Sequence, residues 1–172
     1  MVKVCEFDLE KLMAEAKKYI EDIGTGRKEE QIELIKQIRK TSKKIEEDTN
    51  TQKDRLEAFE KKILDSEISE HIPDHDMLFL QKECARYHGS IDTLQGTRSQ
   101  TLIESEKIDA LKGDDKDFMF DNNDIHQLRN NLKSLQRQDT VDVPRIKKNI
   151  DALEAFTIKA LKNKLNEDNK KS

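Results

Sequence analysis

The sequence has no tryptophan, two cysteines, two prolines and five glycines. Its longest apolar run, Met77-Leu78-Phe79-Leu80, falls far short of the roughly 20 residues that a bilayer-crossing helix needs. Cys5 and Cys84 cannot build a disulfide framework or the spacing of a structural zinc site. Both read as buried or incidental thiols. The opening stretch Met-Val-Lys-Val-Cys-Glu-Phe-Asp-Leu-Glu meets an acid at once and has no uninterrupted signal core. Cytoplasm or nucleus is therefore the expected location. With 32 basic residues against 36 acidic ones, the net charge of −4 gives no global attraction to nucleic acid or anionic membrane.

What the chain does have is charge of both signs: 40% of it is charged and 34% hydrophobic. An ordinary globular domain is nearer 25% charged and about 45–50% apolar, so a broad, many-sided core is excluded. Disorder is the alternative for so polar a chain, but it usually accompanies a strong charge imbalance. Balanced charges with regularly spaced apolar residues suit long helices with narrow apolar seams. The expected fold class is all-α: an elongated coiled-coil or helical-hairpin protein of about five helices.

Five segments follow from the spacing. Residues 1–26 form an N-terminal amphipathic helix, with Leu9, Met13, Ala16, Ile20 and Ile23 on one stripe. Asp8 is its N-cap, and Gly24-Thr25-Gly26 reads as its stop. A helix this short is unstable alone and must pack on something. Residues 27–112 form a long hairpin turning near Pro73, since proline ends helices. The outgoing seam is Ile35, Ile38, Ser42, Ile45, Thr49, Gln52, Leu56, Phe59 and Ile63. The returning seam is Met77, Leu80, Cys84, Tyr87, Ile91, Leu94, Arg98, Thr101, Ser105 and Ile108. Folding about Pro73 sets Phe59 against Tyr87, Leu56 against Ile91 and Thr49 against Arg98. Gly89 and Gly96 read as a bend or a close helix approach. Residues 113–124 form an acidic linker. Residues 125–166 form a C-terminal helical pair, parted by a polar turn from Gln136 to Val143, with Pro144 opening the last helix. Residues 167–172 read as a frayed tail.

Chemistry-bearing clusters are weak. His71, Asp74, His75 and Asp76 have metal-ligand chemistry, but their spacing matches no established pattern and suits a solvated turn. The linker alternates Asp115 and Asp117, but Met119 takes the next ligand position and no glycine supplies the calcium-loop turn. Phe118, Met119 and Phe120, set among acids, read first as side chains folded back over helix ends and second as a short docking peptide. No phosphate loop, nucleophile elbow or Cys–His pair with a recognisable context is present. Neither a catalytic residue nor a cofactor or metal site is expected.

The sequence therefore points to a non-catalytic interaction subunit, a scaffold or adaptor of a multi-subunit intracellular complex. Its partners are protein helices, with a hetero-oligomer preferred to a homo-oligomer, and it has no membrane or small-molecule partner. The seam expected to carry binding is Ile35, Ile38, Ile45, Leu56, Phe59, Ile63, Met77, Leu80, Tyr87, Ile91, Leu94 and Ile108. The alternative is a nucleic-acid- or cytoskeleton-associated adaptor whose basic last helix offers Lys159, Lys162 and Lys164 to phosphates or an acidic partner. The Pro73-Asp74 turn between heptad helices resembles a junction in a small coiled-coil subunit of the THO mRNA-export complex and in several kinetochore subunits. That resemblance covers one junction and implies a helical subunit of such an assembly, without carrying over any functional residue.

Overall fold

The computed structural model describes residues 8–112 and 122–171, and every element among them is helical. In chain order these are α1 (Leu9–Leu64), α2 (Ser66–Ser69), α3 (Asp74–Lys112), α4 (Asn122–Arg137), a π turn (Gln138–Asp142) and α5 (Val143–Lys171). The 56 residues of α1 extend about 84 Å at the α-helical rise.

The Asp8 carboxylate caps α1 by accepting from the Lys11 amide at 3.1 Å. The expected stop at Gly24-Thr25-Gly26 does not occur, and α1 runs straight through it. A glycine stop works by adopting a left-handed backbone, and no described residue has a positive φ. Each glycine instead costs about 1 kcal/mol of helix propensity, which the strong helix formers on either side offset. Gly89 and Gly96 also lie inside a helix, and a Cβ at either would meet nothing within 4 Å. The close helix approach expected there is absent.

At the far end Asp65 has extended backbone and its side chain accepts from the Glu67 amide, closing α1 and opening α2. The chain turns through Pro73, whose carbonyl accepts the Met77 amide at 2.9 Å. Asp74 and Asp76 occupy the first turn of α3, where carboxylates favour the positive end of the helix dipole.

Cross-helix bonds give the directions. From α1 to α3, Glu60 meets His88, Asn50 meets Gln95, Ser42 meets Arg98 and Gln31 meets Asp109. These two helices run antiparallel. Arg98 donates to Ser42 (Nη1 to Oγ, 2.8 Å) and also lies 3.8 Å from the Glu46 carboxylate. From α1 to the last third of the chain, Glu30 pairs with Arg129, Lys44 with Asp139, and Arg55 with Asp151 and Glu154. The separation stays near-constant at 99, 95 and 96 residues, so α4 and α5 run parallel to α1. The architecture is a long three-stranded helical bundle.

The expected polar turn at 136–143 is replaced by continuous helix. Pro144 cannot donate a hydrogen bond, and its ring crowds the carbonyl one turn back. The chain answers with a wider turn just before it, in which the Val143 amide reaches the Gln138 carbonyl. This turn also restores phase. Buried positions step by three or four through Ile125, Leu128, Leu132, Leu135 and Gln138, then by five to Val143, and again by three or four through Ile146, Ile150 and Leu153. An uninterrupted α-helix would rotate the later residues off the core, whereas the π turn absorbs the extra residue. α5 continues past position 167 to Lys171.

The core is one cluster from Leu34 to Leu153, interrupted by polar layers. Asn131 donates to Ser105 at 2.9 Å, and Ser105 donates to the Thr101 carbonyl at 2.8 Å. Such layers penalise shifted registers, because a slipped helix leaves buried polar atoms unpaired.

Three substitutions test this fold by chemical denaturation. Ile150 is fully buried, so Ile150→Ala is expected to cost about 2–5 kcal/mol. Gly89→Ala and Gly96→Ala, with open space at each Cβ, are each expected to add about 0.5–1 kcal/mol.

Candidate helix-docking surface

The periodic stripe is covered well inside the body, but among the described residues nothing covers its beginning. From Asp8 to Asp22 every side chain of α1 is exposed, Ile23 is half-buried, and the first fully buried residue is Gln31. Cover by α4 starts near Arg27, which lines one cleft with Glu30, Asn123, Ile125 and Arg129. The first 18 residues of α1 therefore project as an overhang of roughly 27 Å. Along it Leu9 is 60% exposed, Leu12 46%, Met13 63%, Tyr19 68% and Ile20 48%. Isolated exposed apolar residues are ordinary on protein surfaces, but a contiguous set marks an interaction surface.

The opposite end of the bundle supplies a control. There α5 runs on past Leu161, which packs against the core, through residues that are exposed except for the half-buried Lys164, to Lys171. Of that stretch only Leu165 is a large exposed apolar side chain. A polar overhang is satisfied by water; an apolar one is not. The projecting end of α5 is the more polar of the two overhangs, although Leu64, Leu78, Phe79 and Ile158 are also exposed toward that end of the bundle.

The residues of the expected binding seam lie inside the body. Ile35, Ile38, Ile45, Leu56, Phe59, Ile63, Leu80, Tyr87, Ile91 and Leu94 are buried, and Met77 and Ile108 are partly buried against the same core. The helices covering them are α3, α4 and α5 of the same chain. The exposed row on the overhang also includes Leu12 and Tyr19, which flank the four-three stripe and are not singled out by its spacing. The usable signal was the N-terminal stripe itself.

Lys159 and Lys162 are exposed on α5, while the Lys164 ammonium lies 3.8 Å from the Asp168 carboxylate. Phe118, Met119 and Phe120 lie outside the described residues. At the first turn of α3, His75 is within 3.3 Å of Asp76 and largely exposed. Among the described residues, no three His, Cys, Asp or Glu side chains converge as metal ligands. A groove of about 540 Å³ between α3 and the π turn is lined by Arg86, Gly89, Thr93, Gln138 and Arg145, among others. Its two cations are engaged: Arg86 binds Glu83 at 2.7 Å, and Arg145 lies 3.8 Å from Asp142. The Arg86 bond holds the Glu83 carboxyl below its usual range.

Cys84 is buried in the seam, and burial, with the Glu60 and Glu83 charges, pushes its thiol up to about 11. A thiol so held is a poor nucleophile at neutral pH. No known protein family, curated protein or solved structure matches this chain, so its function is argued from its own residues.

The Cys84 environment predicts an alkaline weakness. The unfolded thiol ionises near 9 and the folded one near 11, so stability from this group is intact below about pH 9 and falls as pH rises toward 11. Burial raises Tyr87 in the same direction. Denaturation at about pH 8 and about pH 10.5 is therefore expected to show a smaller loss in Cys84→Ala than in the unsubstituted chain.

Proposed function

We propose that this chain is a non-catalytic helical interaction subunit that docks a partner helix on the projecting start of α1. The observation that carries this reading is the exposed row Leu9, Leu12, Met13, Tyr19 and Ile20 on a helix that stands clear of the chain's own bundle. A helix laid into that row would bury anchors spaced by three and four residues, the usual geometry of helix recognition. Large aromatic and apolar anchors contribute most of the energy in such interfaces. The body then acts as a rigid rod that sets the position and direction of the overhang, which suits a scaffold within a larger assembly.

Lysine-reactive cross-linking in the native cell tests the reading, because Lys11, Lys17 and Lys18 sit on the overhang and are exposed. Cross-links from these lysines to a helical segment of another molecule are expected, and Leu12→Glu/Tyr19→Glu is expected to remove most of them. The same double variant should change folding stability by less than about 0.5 kcal/mol, as for other exposed positions. If the cross-links persist unchanged in the double variant, the overhang is not the docking surface.

A further inference from the structure

The apolar stripe of the overhang is in phase with the face that α3 and α4 cover further along. Leu9, Met13, Ala16, Ile20 and Ile23 continue through the half-buried Arg27, by steps of three and four, into the buried Gln31, Leu34, Ile38, Ser42 and Ile45. Whatever covers the overhang therefore lies on the side where α4 begins, and it must stop near Arg27, where α4 occupies that face. We propose that the occupant is the overhang of a second copy of this chain, laid antiparallel.

This inference names the partner for the surface assigned above and rests on that assignment. Its geometry is restrictive. A second copy carries its own bundle on the C-terminal side of its overhang. A parallel arrangement would drive the two bundles into each other along the covered face. Only an antiparallel pair places the bundles at opposite ends.

Charge then chooses the register. Setting Leu9 against Ile20 of the second copy also sets Met13 against Ala16. On one flank Glu10 faces Lys17 of the second copy, and on the other Leu12 faces Tyr19. Two-fold symmetry makes each contact twice, so the interface carries two opposite-charge pairs and two extra apolar contacts beside the seam. A shift of one heptad brings Met13 to Ile23 but sets Lys17 against Lys17, a like-charge pair at the centre. It also pushes Leu9 of the second copy to Arg27, against the start of α4. The first register uses the free length of α1 and ends before the body begins.

The interface is short, so the dimer belongs to the weak, concentration-dependent class. Sedimentation equilibrium of the full chain between about 1 and about 100 µM is expected to show a monomer–dimer equilibrium in this range. Lys17→Glu and Glu10→Lys are each expected to weaken it by about tenfold, while Glu10→Lys/Lys17→Glu restores it to within about threefold, because the charges are exchanged across the pair. All of these positions are exposed, so unchanged melting is the folding control. Spin labels at the exposed position 36 should lie about 65 Å apart along the dimer axis, whereas a parallel pair would place them side by side. A chain that stays monomeric at the highest concentration overturns the proposal. So does a double variant that fails to recover, or a short label distance. If the chain is monomeric but Lys17 still cross-links to a helix of another protein, the second copy is the wrong partner and the docking surface stands. If both are absent, the docking surface falls as well.

Discussion

One constraint organises the molecule: α1 carries an apolar face over nearly its whole length, and that face has to be covered. The chain supplies two covering helices, α3 and the run from α4 through α5. They meet α1 from Arg27 onward, where Arg129 pairs with Glu30 and Gln31 donates to Asp109 at 3.1 Å. Within that span the face closes completely, and Ile38, Ile45 and Leu56 are 0% exposed. Before it, nothing in the described chain reaches the stripe. The body and the overhang are the same helix under two different conditions of supply.

Polar contacts then decide which of many neighbouring alignments is adopted. Three long helices of similar composition could slide by a heptad with little loss of apolar burial. The layer joining Ser105 to Asn131, and Arg98 to Ser42, makes such a slip costly. Outside the core, Arg55 grips Glu154 through both carboxylate oxygens, at 3.2 and 2.9 Å. That two-pronged geometry adds directional preference where a single surface pair adds little. The Arg55 guanidinium is held more firmly protonated by the same bonds.

Local period was readable from sequence; cover and continuity were less so. The four-three series on α1 and α3 identified the residues that are now buried, from Ile35 through Leu94, because amphipathic spacing is a property of each helix alone. Gly24 and Gly26 misled, because glycine marks a stop only if the backbone turns left-handed, and nothing local forces that choice. Pro144 misled in the opposite way. A proline beside polar residues reads as a turn, but the buried Gln138 and Val143 hold the segment against the body, and a wider helical turn satisfies both demands. The cover of the seam was harder to read for a related reason: an apolar stripe does not announce whether its cover comes from within. The meeting of segments 28 to 99 residues apart removes Ile38 and Leu56 from the surface and leaves Tyr19 on it.

The short connection through Asp65 to Pro73 also has a kinetic meaning. Contacts between α1 and α3 begin with Glu60 and His88, only 28 residues apart, and lengthen steadily to Gln31 and Asp109, 78 apart. Each contact formed brings the next pair within reach, so closure can advance from the turn like a zip, paying a small loop entropy at every step. The final third has no such route to α1: its first bond there spans 95 residues or more. Chain order therefore makes the α1–α3 contacts less costly in loop entropy than those of α4 and α5 with α1. The free end of α1, furthest from the turn, lies beyond the point at which closure among the described residues stops.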